Sequence, residues 1–206
     1  NSVFKHLPGD IELRLSTEFN WLIGESTLPE GVFVELPIDV NAMGGALKAE
    51  ARWKHERLEL EAGYASGDNN RYDDVQRTFQ FDPNYRVGLI LFPMVNAMHA
   101  AIAIDNAADP NYRARLPRGV DRTATSGAVE NAIYLYPSYR HRLNATTELG
   151  VSYLHAWRAT PHFDVFRSAL NGGMPTSHLG QQGLESLGQE LNVGLSKMLS
   201  AYGDQL

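Results

Sequence analysis

Between Leu47 and Gly67 the chain reads LKAEARWKHERLELEAGYASG, and nearly every second residue changes character. Leu47, Ala49, Ala51 and Trp53 are apolar, while Lys48, Glu50, Arg52 and Lys54 between them are charged. After Lys54-His55-Glu56-Arg57 the alternation resumes, with Leu58, Leu60, Ala62 and Tyr64 set against Glu59 and Glu61. A period of two belongs to a strand with two unlike faces. Two such runs joined by a short polar link predict an antiparallel hairpin. The strands of a soluble sandwich also alternate, but they are shorter and their polar faces mix Thr, Ser and Lys. Long strands, charged along one face and aromatic near the ends of the other, point instead to the wall of a transmembrane β-barrel.

Composition narrows the field. A chain of 206 residues makes one large domain or two small ones. Hydrophobic residues are 43% and mean hydropathy is -0.30. These averages fit a soluble protein, yet they fit a barrel too, because only every second strand residue faces lipid and long loops dilute the rest. No apolar run approaches the roughly 18 residues of a membrane helix, which excludes a helical membrane protein. Cysteine is absent, which suits an envelope compartment. A net charge of -6 argues against a nucleic-acid partner. The chain opens on Asn1-Ser2-Val3 with no Met and no signal peptide, and reads as processed or truncated.

In chain order, Asp10 to Ile23 is the cleanest strand, with Ile11, Leu13, Leu15, Phe19, Trp21 and Ile23 on one face and Glu12, Arg14, Ser16, Glu18 and Asn20 on the other. Residues 24–45 read as a loop, rich in Pro, Gly and acids. The hairpin follows, then a polar loop from Ser66 to Arg86. Val87 to Phe92 reads as a strand. Met94 to Ile104 is open between a helix and a small-residue segment folded inward. Asp105 to Glu130 is a loop with Arg113, Arg115, Arg118 and Arg122 in its middle. Asn131 to Arg140 and Thr146 to His155 predict a second hairpin, linked at His141 to Ala145. A third long loop, Ala156 to Ser186, precedes a last strand, Leu187 to Leu199. Short turns alternate with long loops, as in outer-membrane barrels, where the short turns are periplasmic.

Three segments carry a family resemblance. Leu187-Gly188-Gln189-Glu190-Leu191-Asn192-Val193 resembles a strand near the C-terminus of alginate-export-type outer-membrane proteins. Ala62-Gly63-Tyr64-Ala65-Ser66-Gly67-Asp68 resembles a strand end and acidic loop start of the same group. Residues 81–92, FDPNYRVGLILF, resemble a segment of related proteobacterial barrels. The resemblance implies a monomeric, porin-like barrel of many strands that passes polysaccharide or small solutes. Two departures stand against a direct transfer. The strands visible here are fewer than half of such a barrel, and the chain stops at Tyr202-Gly203-Asp204-Gln205-Leu206 without a terminal aromatic strand. The inward charges are also mixed in sign, so alginate is not carried over as the substrate.

Those inward charges are the candidate site: Glu12, Arg14, Glu18, Lys48, Glu50, Arg52, Glu59, Glu61, Arg140, Glu148 and Glu190. As pore-lining residues they would set up a field that selects solutes by charge and size. As plain structure they would neutralise one another across neighbouring strands. Both roles are compatible. Asp68 to Asp74 offers oxygen ligands for calcium but lacks the glycine and distal glutamate of an EF-hand; a solvated loop is the simpler reading. His155, His162 and His178 fall in or beside one loop, yet the histidines read mainly as scattered surface residues. There is no G-x-S-x-G elbow, phosphate loop or dinucleotide fingerprint, and Ser152 and His155 belong to opposite faces, so no enzyme and no cofactor are expected. Trp21, Trp53, Tyr64, Tyr139 and Tyr153 are expected to form an interface girdle.

The sequence thus predicts an all-β fold: an antiparallel transmembrane β-barrel, one domain over residues 1–206 and incomplete at both ends. The expected role is a porin or exporter of the cell outer membrane, passing hydrophilic solutes or polysaccharide. Expected partners are outer-membrane lipid, lipopolysaccharide and the solute. The rivals are a structural barrel subunit holding envelope protein partners, and a soluble carbohydrate-binding β-sandwich.

Overall fold

The structure is a computed structural model. It describes the backbone of residues 2–7, 10–27, 29–30, 34–35, 37–108, 119, 127–183 and 185–199, and side chains from residue 10 onward within most of these. The chain forms one large antiparallel sheet. Its strands are β1 (Ser2–Leu7), β2 (Ile11–Ser26), β5 (Ile38–Trp53), β6 (Glu56–Ala65), β8 (Ala132–Asn144), β9 (Thr147–Trp157) and β10 (Ser186–Lys197), hydrogen-bonded in that order. A two-residue β7 (Val75–Gln76) lies parallel to the start of β5, and β3 (Pro29–Glu30) pairs with β4 (Val34–Glu35) in a separate ribbon. The sheet is not closed: β1 pairs with β2 alone and β10 with β9 alone among the described residues.

The hairpin expected at residues 47–67 is β5–β6. Trp53 faces Glu56 across a turn of Lys54 and His55, where Lys54 takes a left-handed φ of 50°. Arg57, expected in the link, therefore belongs to the wall. The second hairpin is β8–β9. Its β8 runs on to Asn144, and the turn at Ala145 and Thr146 is held by Asn144 Oδ1, which accepts from the Thr146 N–H and hydroxyl at 3.0 Å each.

Two expectations fail. The segment read as a loop up to Gly45 is strand from Ile38 onward, because β2 continues to Ser26 and pairs with β5 residue by residue, from Glu12 opposite Arg52 to Ser26 opposite Ile38. A backbone partner on both sides outweighs the weak strand preference of Gly44 and Gly45. Val87 to Phe92 is not a strand. Val87, Leu91 and Phe92 are buried while Leu89 and Ile90 are exposed, which is helical spacing rather than alternation. The backbone turns at Gly88 (φ 71°) and enters a π-helical turn at Leu91–Asn96. Both Met94 and Val95 donate to the Ile90 carbonyl there, at 2.9 and 3.2 Å. The ambiguous segment after it is a helix, α1 (Ala97–Ala108). A short α2 (Val165–Leu170) breaks the third loop, its N-terminus capped by Asp164 Oδ1 accepting from the Arg167 N–H at 2.8 Å. Most of the loop with Arg113, Arg115, Arg118 and Arg122, and the terminal Tyr202 to Leu206, lie outside the described residues.

The core sits on one face of the sheet. Ala42, Ala65, Ala132, Tyr134, Leu154 and Ala156 of the strands pack against Phe79, Phe81, Val87, Leu91, Phe92 and Val129 of the loops. Gly63 makes the space for this: a Cβ there would lie 2.2 Å from the ring of Tyr134. The long loops thus fold back over the polar face near its long-loop end.

Candidate functional site

The pairing places the eleven candidate charges on one face. Glu12 stands opposite Arg52, Arg14 opposite Glu50, and Lys48 opposite Glu61, with Glu50 opposite Glu59 on β6. Arg140 stands opposite Arg57 on one side and Gly150 on the other, and Glu190 stands opposite Leu154. In a pleated sheet, directly opposed residues project to the same side. Nearest the short turns these charges pair off. Lys48 Nζ lies 2.8 Å from Glu59 and 3.7 Å from Glu61. Arg57 donates to Glu50 at 2.8 Å and to Glu59 at 3.0 Å, and Arg52 also bridges to Glu50. Arg140 approaches Glu148 at 3.5 Å. The carboxylates lie deep and the cations shallow: Glu50 and Glu61 are buried, Arg52 and Arg140 exposed. The neutralising role weighed from sequence is therefore present, and a row of half-solvated cations remains above it.

Two of the carboxylates hold the loops. Glu61 Oε1 accepts from the Tyr85 hydroxyl of the loop and from the Tyr134 hydroxyl of β8, both at 2.8 Å. Burial, and then the nearby Glu61 charge, push the Tyr85 phenol well above its ordinary pKa, so it stays a donor. Glu190 receives three successive backbone N–H groups, from Leu89 at 2.6 Å, Ile90 at 3.1 Å and Leu91 at 2.8 Å. Beneath that turn lies an open trough of about 350 Å³, lined by Glu59, Tyr136, Ser138, Arg140, Glu148, Ser152 and Asn192 with Leu89 at its rim. A second cavity of about 310 Å³ lies between β2 and the loop, lined by Glu18, Asn20, Phe79, Phe81, Asp82 and Tyr85.

The opposite face is apolar and uncovered. Leu15, Phe19, Trp21, Leu47, Leu58, Leu60, Ile133, Leu135, Leu149, Val151, Leu191 and Val193 are all exposed, Val193 to 71%. Their partners across the sheet are one another: Leu58 with Tyr139, Tyr139 with Val151, Val151 with Val193. Of the five aromatics expected in a girdle, Trp53 lies by the short turn and Trp21 and Tyr64 lie far up the strands, while Tyr153 pairs mid-strand with Leu191. Trp157 stands on the same face at the end of β9, opposite Ile133. From Glu56, opposite Trp53, to Tyr64 is eight steps of strand, roughly 26 Å at ~3.3 Å per residue.

The acidic loop is partly solvated, with Asn69, Asn70 and Asp74 exposed. Asp68 is fully buried, accepting from the Asn70 N–H at 2.9 Å and the Arg77 N–H at 3.2 Å. Arg77 lies 2.9 Å from Asp73 and 3.6 Å from Asp68. His155 lies on the apolar face, stacked on Trp157 at 4.0 Å, and Ser152 lies on the polar one. The histidines are not all scattered, however: His99, His162 and His178 converge. Sequence reasoning missed His99 because α1 and the third loop approach each other only in the fold. It also missed Arg57, Tyr85 and Tyr134. Tyr134 had a signal, since it shares strand parity with Ser138 and Arg140 rather than with Leu135.

No protein-family model matches the chain, and none of the curated proteins compared with it matches either.

Proposed function

We propose that this sheet is part of the wall of a transmembrane β-barrel in the outer membrane of a Gram-negative cell, and that the barrel is a porin or exporter for hydrophilic solutes or polysaccharide. The observation that carries the reading is the pair of unlike faces. One is an apolar surface several strands wide, with most of its large side chains exposed; the other is charged and has the loops folded onto it. Contiguous apolar patches on soluble monomers rarely exceed a few hundred Å². Among the described residues no second sheet covers this one, as a β-sandwich would require. Lipid is the solvent that such a face suits.

In this reading the Lys54–His55 and Ala145–Thr146 turns face the periplasm and the long loops face outward. The charged row from Glu12 to Glu190 lines the lumen, and the turn at Leu89–Leu91, tied to Glu190, narrows it. A closed barrel needs partners for the free edges of β1 and β10, from further strands of the same protein or from neighbouring subunits. Lipopolysaccharide and lipid are the surrounding partners.

The test is fractionation followed by conductance. The protein should sediment with outer membranes, need detergent for release, and form channels in planar bilayers. Arg52→Glu and Arg140→Glu, at half-exposed positions, should shift ion selectivity toward cations. A protein that stays soluble without detergent, or channels whose selectivity ignores both reversals, would overturn the reading.

A further inference from the structure

We propose that His99, His162 and His178 form a binding site for a transition-metal dication of the zinc class, which fastens α1 to the loop between β9 and β10. The three residues come from separate segments: His99 from α1, His162 from the stretch following β9, and His178 from the turn after α2. One ring nitrogen of each lies within 4.8 Å of those of the other two. The rings of His99 and His178 are 4.0 Å apart, and His162 is 5.3 Å from His99 and 5.8 Å from His178. Nitrogens bound to one zinc at ~2.0–2.1 Å stand closer than this, so small side-chain rotations close the site. Three imidazoles suit Zn²⁺, Ni²⁺ or Cu²⁺, and not Ca²⁺ or Mg²⁺, which take oxygen.

A second observation points to a ligand. His178 Nδ1 is buried and has no hydrogen-bond partner. A buried polar atom without a partner is costly, and a metal would satisfy it. Burial keeps all three rings neutral, lowering the pKa of His99 to about 4 and of His162 to about 2, with His178 also below its ordinary value. Neutral imidazole is the ligating form. Three cations oppose a bound dication: Arg158 acts on all three rings, Arg71 on His162 and Arg167 on His178. Arg158 Nη2 donates to His99 Nδ1 at 3.3 Å, and a metal bound at that nitrogen displaces this long contact. Asp164 acts on the His178 side with the opposite sign. The stack of His155 on Trp157 leaves that histidine out of the cluster.

The site stands apart from the proposed channel function, since it is read by metal binding alone. The experiment uses the full chain, purified in the detergent that releases it or in buffer, stripped with chelator and titrated with Zn²⁺ near neutral pH. One equivalent should bind saturably and raise the unfolding temperature, and Co²⁺ in its place should show the intense visible bands of a low-coordinate nitrogen site. His162→Gln and His178→Gln should each weaken binding by more than the roughly 10–100-fold that follows loss of a mere outer-shell partner. His155→Gln should leave it unchanged. If His162→Gln does not fold, His178→Gln alone decides, because that side chain is partly exposed. Absence of saturable Zn²⁺ binding, or undiminished binding in the His178→Gln variant, would overturn the proposal.

Discussion

Glu190 and Leu89 lie 101 residues apart in sequence, and the Leu89 N–H donates to the Glu190 carboxylate at 2.6 Å. The adjoining N–H groups of Ile90 and Leu91 reach the same carboxylate, and Asn192 Nδ2 donates to it at 2.8 Å. A turn of backbone that has no strand partner is thereby satisfied by one side chain of the wall. It also explains why an apolar run that reads as a strand stays coiled over the sheet.

Replacing that carboxylate with an amide should release the turn. In Glu190→Gln the side chain keeps one acceptor oxygen and turns an NH₂ group toward three N–H donors. Hydrogen bonds to a charged group contribute about 1.5–3 kcal/mol each to stability, and the net loss should fall in that range. Hydrogen exchange at Leu89, Ile90 and Leu91 should accelerate well before the strands open. If those amides exchange as in the parent protein, the carboxylate is not what holds the loop.

Tyr134 is fully buried and its hydroxyl shares the Glu61 carboxylate with Tyr85. Tyr134→Phe keeps the ring, which packs edge-on against Phe92 and Phe81, and removes one donor from a buried charge. We expect a loss of about 1–3 kcal/mol. Tyr134→Ala also empties the space beside Gly63 and should cost about 3–5 kcal/mol. The order of the two thermal midpoints checks the assignment: equal losses would mean that the hydroxyl carries the whole effect and the ring none.

How far the sequence disclosed this fold depends on where each strand finds its second partner. From Leu47 to Trp53 and from Leu58 to Tyr64 the alternation assigns each residue a face, but the register Lys48 opposite Glu61 is set by a turn of only two residues, Lys54 and His55. The eleven charges were legible for the same reason, because parity alone assigns a face. Residues 38–42 do alternate, but Ile38, Val40 and Ala42 fall on the parity that carries Lys48 and Glu50, out of phase with the rest of β5. Val40 and Ala42 lie amid Asn41, Gly44 and Gly45, and only the length of β2 reveals that they are paired. The loops were the least legible part. Phe79, Phe81 and Tyr85 have no periodicity, and other segments set their place: the Phe79 ring lies against Gly44, and Tyr85 is held by Glu61. The histidine cluster shows the same limit, since His99 and His178 are neighbours only through tertiary contact.

Tyr72 makes alkaline pH a probe of the loop contacts. Its hydroxyl donates to the Val165 carbonyl at 2.9 Å and its ring packs edge-on against Phe163 at 5.2 Å. Burial, and then the charge of Asp164, push the phenol up to about 12 from its ordinary 10. The unfolded chain therefore loses this proton first, near pH 10, while the folded protein keeps it. The stabilisation is complete below pH 10 and drains away as pH rises toward 12. Tyr72→Phe should cost about 1 kcal/mol at neutral pH through the lost hydrogen bond. It should also flatten the decline of the unfolding midpoint in that alkaline window. An unchanged slope in the variant would assign the decline to other groups.

Asn131 offers the sharpest test of how the third loop is fixed to the sheet. It precedes β8, is buried, and takes a left-handed φ of 43°, a conformation that asparagine tolerates better than most residues. Its Oδ1 accepts from the Thr160 N–H at 2.8 Å and from the Thr160 hydroxyl at 3.1 Å, and its Nδ2 donates to the Thr160 carbonyl at 3.1 Å. One side chain thus satisfies both backbone groups of a residue beyond the end of β9. Asn131→Ala loses all three bonds and strains the backbone, for a cost of about 2–4 kcal/mol. Asn131→Asp keeps the two acceptor contacts and loses the donated one, so it should fall between the parent and the alanine variant. Protease cleavage in residues 158–183 should quicken in the same order. If aspartate proves as damaging as alanine, the donated bond to the Thr160 carbonyl outweighs the two accepted ones. If alanine costs nothing, the loop is held by the contacts of Tyr72 with Phe163 and Val165 rather than by Asn131.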